Sequence, residues 1–278
     1  MQKISFFSLA LLAASLTGTA QTTKIDVQKG QKYKVENSTK QSSSAEVMGQ
    51  TMENNSDSKT TTLFEILAAG QEGINLQSTV TKMAITASAM GQEMSFDSDK
   101  TDNTGPLADM LSGMVNKPNN VQLNDKGLII KQDEEGNSAS SALTGGNTAT
   151  ITTDLFIPAL IGKELKVGDS FTDTFSVKKE KYDSRDSGTY TVKAIENGLA
   201  TISYSGTQVV NAAIEQMGME MNTYSNNTVK SDLYVDIKTG LLLLKSSIIE
   251  SNTTVDAAGM SIPATGKTII NIKVSPDK

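Results

Sequence analysis

The chain has 278 residues, a formal net charge of −6, and neither histidine, cysteine nor tryptophan. Without histidine or cysteine, Ser-His-Asp and Cys-His nucleophilic sites and the usual zinc and copper ligand sets are excluded. A carboxylate pair, a Ser-Lys site or an oxygen-ligand metal site remain open. The acidic balance and a single arginine, Arg185, argue against a nucleic-acid partner and against guanidinium-based phosphate recognition.

Residues 1–20 carry the three parts of a secretory signal: the charge on Lys3, the apolar run Ile4 to Leu16, and small residues Gly18-Thr19-Ala20 before a new N-terminus at Gln21. No later stretch is long and apolar enough to form a transmembrane helix. The mature chain is therefore expected in the periplasm, at the cell envelope or outside the cell. An exported chain without cysteine must take its stability from strand pairing and burial.

From Gln31 onward, Thr, Ser, Val, Ile, Tyr and Asn alternate with period two, and glycine-containing turns break the runs. The segment Leu199 to Val210 is one example. This pattern predicts an all-β, antiparallel, hairpin-rich fold. The landmarks also recur in one order. Lys29-Gly30-Gln31-Lys32-Tyr33 matches Val167-Gly168-Asp169-Ser170-Phe171. The turn Gly70 to Gly73 matches Glu196-Asn197-Gly198, and Met90-Gly91 matches Met217-Gly218. The hairpin signal Val121 to Ile130 matches Leu233 to Leu242. Two repeats follow, 21–134 and 150–278, forming two curved sheets or one half-barrel, with a flexible Gly/Ser/Asn/Thr connector at 135–149.

The first repeat holds an insertion near 106–115. There Leu107, Met110, Leu111, Met114 and Val115 fall on one face of a helix of about three turns that begins at Pro106. Asp154 to Ile161 reads as an apolar bridge into the second repeat, either a short helix or a docked turn. Asp97, Asp99 and Asp102 lack the EF-hand spacing and read as a turn, as does Tyr182 to Gly188.

Methionines gather at turns. Met-Gly-x-x-Met occurs at Met48 to Met52, Met90 to Met94 and Met217 to Met221, the last also carrying Met219. A variant, Ala258-Gly259-Met260, follows. With glycine as the first central residue of a two-residue turn, Met48 would face Thr51 and Val47 would face Met52. Likewise Met90 would face Glu93 and Ala89 would face Met94, so each tip would show methionine on both sides of the ribbon. Such tips either pack into a core or line a groove for an apolar ligand of variable shape, such as an acyl chain.

Three features together, Thr19-Ala20-Gln21, Val167-Gly168-Asp169-Ser170-Phe171 and Asp236-Ile237-Lys238-Thr239-Gly240-Leu241, resemble those of a family of exported bacterial proteins of unknown function. In that family an aromatic residue, often tryptophan, is expected where Phe171 stands. More remotely, long antiparallel strands with a covering helix are similar to envelope lipoprotein carriers, whose half-barrels hold acyl chains. The expectation is a non-catalytic envelope protein with no cofactor or metal. It binds an apolar small molecule through Met48, Met52, Met90, Met94, Met217, Met219, Met221 and Met260. The alternative is a structural or adhesive module that binds an envelope protein.

Overall fold

Long runs of alternating β-branched and small polar residues can satisfy their backbone only sideways, and the strands they form are unusually long. The computed structural model describes residues 21–47, 49–70, 73–89, 92–133, 152–216, 219–257 and 259–277. The expected signal segment, 1–20, and the whole expected connector, 135–149, lie outside these residues.

In chain order the strands are β1 (Gln21–Thr22), β2 (Lys32–Val47), β3 (Gln50–Gly70), β4 (Gly73–Ala89) and β5 (Gln92–Asp97). After helix α1 (Pro106–Leu111) come β6 (Pro118–Leu123), β7 (Ile129–Gln132), β8 (Glu164–Leu165), β9 (Ser170–Lys179) and β10 (Tyr182–Glu196). β11 (Leu199–Gln216), β12 (Met219–Asp236), β13 (Leu242–Ala257) and β14 (Met260–Pro276) complete the fold. Twelve strands make one open antiparallel sheet in the order β7-β6-β4-β3-β2-β14-β13-β12-β11-β10-β9. β5 pairs with the far half of β4, and β1 pairs separately with β8. Of the two expected arrangements, two curved sheets or one continuous one, the halves form the continuous one, joined where β14 pairs with β2.

The two halves share hydrogen bonds as well as spacing. Gly30 and Gly168 donate their amides to the carbonyls of Ile66 and Val192, whose own amides return to Gln31 and Asp169. The Gln31 and Asp169 side chains each accept the amide three residues upstream, from Gln28 and Lys166. A register shift follows Ile66 in β3 and Val192 in β10 alike. The difference lies at β12, which pairs with β11 along its whole length. Its counterpart in the first half is split, with β5 on the far part of β4 and β6 on the near part.

The insertion between β5 and β6 is shorter than three α-turns. α1 ends at Leu111 and continues only as a 3₁₀ turn over Ser112–Met114. Ala108 and Leu111 are buried against Met83 and Phe96, with Leu107, Met114 and Val115 packed around them. Met110, expected on this face, is 45% exposed. On a real helix it lies beside the stripe set by Leu107, Ala108 and Leu111, and small Ala108 takes the contact.

One end of the sheet carries the main core. Phe64, Ile66 and Leu76 from the first half and Val192, Ile202, Leu233 and Leu242 from the second close around one plug, Leu155, Phe156 and Leu160. The bridge at 154–161 is therefore a docked turn, with a 3₁₀ turn at Pro158–Leu160. Both wings of the sheet bend toward this plug, and the plugged face is concave. Each fully buried side chain of this size contributes roughly 1.5–3 kcal/mol.

Candidate functional site

Away from the plug, the strands run on, and among the described residues only α1 and the 3₁₀ turn after it cover their concave face, over Met83 and Phe96. In-register pairing places one residue from every strand in each cross-strand row. Nearest the plug, one row runs Phe171, Tyr190, Tyr204, Ser231, Ser247, Ile270, Thr39, Ser58, Ile85 and Phe96. Its aromatic end is a ladder. Phe171 stacks on Tyr190 at 5.5 Å, and Tyr190 meets Tyr204 tilted at 4.7 Å. Ser231 and Ser247 are buried and satisfy each other at 2.7 Å. In the next row Asp173, Gly188, Gly206, Val229 and Ile249 lie side by side. The paired glycines are required: a Cβ on either would collide with the Tyr204 phenol, which lies across both. Beyond them Asp186 pairs with Gln208 and Gln208 with Asn227. Asn227 donates to the Gln208 carbonyl at 2.9 Å, and the Gln208 side chain hydrogen-bonds the Asp186 carboxyl.

Between this wall and the plug lies a cavity of about 300 Å³. Aliphatic groups of Val229, Ile249 and Ile270 line it together with Tyr190, Tyr204, Phe175 and Phe156. Asp154, Asp173, Asp186 and Lys245 bring charge to it. Burial raises the carboxyl of Asp154 above its ordinary range, and Lys245 partly offsets this. Burial raises Asp186 also, and its bond to Gln208 opposes the shift. The phenols of Tyr190 and Tyr204 are raised by burial first. For Tyr190 the facing Tyr204 comes next, and the charges of Asp173 and Asp186 add to both.

Sequence reasoning missed this wall. The segment Tyr182 to Gly188, expected as a turn, is the start of strand β10. Its Asp, Ser, Arg and Gly residues alternate in a strand whose one glycine makes room for an aromatic ring from the next strand. The only signal was the pairing of Gly188 and Gly206 with Tyr190 and Tyr204 at matching spacing.

The methionines gather at the opposite end of the trough. β2 pairs with β3 as far as Val47–Gln50, β4 with β5 as far as Ala89–Gln92, β11 with β12 as far as Gln216–Met219, and β13 with β14 as far as Ala257–Met260. All four connections lie along one rim, because neighbouring hairpins of a meander turn at the same end. The register corrects the expected one. Met52 faces Ala45 and Met94 faces Ala87, and the two connecting residues are Met-Gly or Ala-Gly. The physical reason is that glycine takes the second connecting position: Gly49 and Gly259 have φ of +78° and +80°, where a side chain is disfavoured.

Of the methionines expected on both faces of each tip, the described residues place those of one face. Met52, Met94, Met221 and Met260 all fall on the concave face, in register with the core side of their strands. Met94 and Met260 are 37% and 43% exposed, Met52 and Met221 are half-buried, and none of the four belongs to either buried cluster. Met48, Met90 and Met217 lie outside the described residues, and Met219 is placed by its backbone pairing alone. Asp97 and Asp99 serve their own turn. The Asp97 carboxylate accepts the Asp99 amide, and Asp99 pairs with Lys82 at 2.8 Å.

A model of the family of unknown function DUF6263 matches residues 71–149 and 158–242, more than half of the chain. The chain belongs to DUF6263. In this DUF6263 chain the two matched segments include the equivalent strands β4 and β11 and both near-end hairpins. None of the curated protein sequences matches it. Among solved structures its fold is similar to that in "lipid-protein interactions in lipovitellin", with a TM-score of 0.52 at 11% identity over 90% of this chain. The match spans 25% of the lipovitellin chain, so the likeness is one of fold over about a quarter of that protein. DynF, from the dynemicin biosynthesis pathway of Micromonospora chersina, aligns over 92% of this chain and 86% of its own at 5% identity, with a TM-score of 0.24. The COG4313 outer membrane channel from Pseudomonas putida F1 aligns over 93% of this chain and 98% of its own at 8% identity, with a TM-score of 0.23. Neither value bears on function.

Proposed function

We propose that the protein is a non-catalytic binding protein of the cell envelope, and that its concave face takes a lipid-like amphiphile. One observation carries this reading. Among the described residues the concave face is plugged at one end and open at the other, and Met52, Met94, Met221 and Met260 stand on it at the open rim outside either core. Methionine at a rim suits a ligand whose shape varies, since its side chain repacks readily. The rows behind it alternate hydrocarbon with hydroxyl and amide groups, a lining for an amphiphile and not for pure hydrocarbon. The likeness of fold to lipovitellin, whose structure is described by its lipid–protein interactions, supports the same reading. A chain without histidine or cysteine supports the non-catalytic part, and the signal-like residues 1–20 support export.

The test is native mass spectrometry of the protein purified from its own host, with organic extraction of bound material. A co-purified amphiphile that is lost on replacing Met94, Met221 and Met260 by Ser, with the strand signal unchanged, supports the proposal. A clean apo mass together with a drop in melting temperature would mean that the methionines only stabilise the rim.

A second reading has its own observation. The outer edge of β9 is unpaired over ten residues among the described ones, and an open edge is a template for another strand. A structural module that adds a partner strand there would bind protein in place of lipid. Cross-linking through a cysteine introduced at Ser176 distinguishes the two.

A further inference from the structure

The cavity beside the plug has a chemistry of its own. Four aromatic rings and three carboxylates line it, against one amine, Lys245. Lys245 acts on Asp154, which lines the cavity with it. Asp173 and Asp186 are left without a positive partner: among the described residues neither forms an ion pair. These two charges bear on the phenols of Tyr190 and Tyr204. The cavity wall is therefore an aromatic face backed by excess negative charge. Among the described residues no three acidic groups converge as a metal site would require. The charge is spread across Asp173 on β9 and Asp186 on β10, one and two rows beyond Tyr190 and Tyr204 on the side away from the plug. A diffuse positive group with a hydrocarbon skin fits such a wall. An ammonium carrying alkyl groups is held by ring quadrupoles and by carboxylates at a distance, without the tight coordination that a small ion demands.

We infer that this cavity is a head-group site for an organic ammonium, with Tyr190, Tyr204 and Phe175 as the aromatic walls and Asp173 and Asp186 as the counter-charges. The inference rests on the amphiphile reading for its ligand and names the end of it. The ammonium sits beside the plug, and the chain passes Val229 and Ile249 toward the methionine rim.

The experiment uses the full mature chain and three probes with one dodecyl tail, kept below micelle formation: dodecyltrimethylammonium, dodecyl sulfate and dodecyl maltoside. Tetramethylammonium serves as the head without a tail. Calorimetry gives affinities, and circular dichroism confirms that the sheet is intact. The ammonium probe is expected to bind about tenfold tighter than the maltoside. That preference should vanish in the Asp173→Asn/Asp186→Asn double variant and in Tyr204→Leu, but persist in Tyr204→Phe, which keeps the ring. Equal affinity for all three tailed probes overturns the head-group inference and leaves the amphiphile reading standing. Binding of tetramethylammonium with no gain from a tail overturns the amphiphile reading and leaves the cavity assignment standing. No binding by any probe overturns both.

Discussion

Replacing Phe156 by alanine tests whether the plug holds the two wings together. Phe156 is 1% exposed, bridges to Leu241 of the second repeat, and lies so close to Gly127 of the first that a Cβ there would approach its ring to 3.2 Å. This one residue thus meets equivalent hairpins of both halves, one through its side chain and one through its backbone. Truncating a buried phenylalanine costs ~3–5 kcal/mol, the removed surface plus the cavity left behind. In a chain of this size each kcal/mol lowers the melting temperature by about 2–4 °C, so the variant should melt roughly 6–20 °C below the parent. Thermal and urea unfolding followed by circular dichroism measure this. Met260→Ala, at 43% exposure, is the control and should stay within about 0.5 kcal/mol. A loss below about 1 kcal/mol for Phe156→Ala would refute the argument, because the bridge segment would then be resting on the sheet without being part of its core.

Two further outcomes follow from the aromatic wall. Gly188→Ala should destabilise by about 1–3 kcal/mol, since the three atoms nearest its new methyl group all belong to the Tyr204 ring and hydroxyl. In a Tyr204→Ala background the same change should be nearly neutral, whereas Gly206→Ala should not be rescued, because its Cβ also meets the backbone of Ser187 and Gly188. A double-mutant cycle in urea that shows no coupling between 188 and 204 would contradict the packing. The buried phenol of Tyr190 keeps its proton beyond the range of an unfolded tyrosine. Its contribution is full below about pH 10, where unfolded tyrosine ionises, and is lost as pH rises toward the folded value. The urea midpoint should therefore fall above about pH 10 and fall less steeply in Tyr190→Phe. Parallel alkaline profiles for the two proteins would count against that burial.

The sequence disclosed what depends on local pattern. Period-two alternation gave the strands, and the Gly30 and Gly168 phrases marked repeats whose hydrogen bonds coincide. Ambiguity entered where two local rules compete. Met-Gly fits a turn with glycine first or second, and only the pairing of Val47 with Gln50 chooses between them. Whatever depends on neighbours distant in sequence was hidden. Asp183-Ser184-Arg185-Asp186-Ser187-Gly188 has turn composition, yet it is strand, paired on both sides between β9 and β11. The cavity draws on β9 to β14 and on the plug, so no single segment carries its signature. The methionine rim was legible as a cluster, but the concave placement of Met52, Met94, Met221 and Met260 needed the register.

The pairing of β2 with β14 has a consequence for how the chain is made. Val35 lies beside Val274 in the middle of the sheet, so the strand that enters the sheet first waits for the one that enters last. Closing so long a loop is slow because its entropy is lost before the contacts repay it. Until then β2 and β13 each present an open row of amides and carbonyls to whatever strand is nearby. A newly made chain is in this sense two unfinished half-sheets. A break anywhere before β14 would leave them so, making integrity of the C-terminal strand the step that separates folding from aggregation.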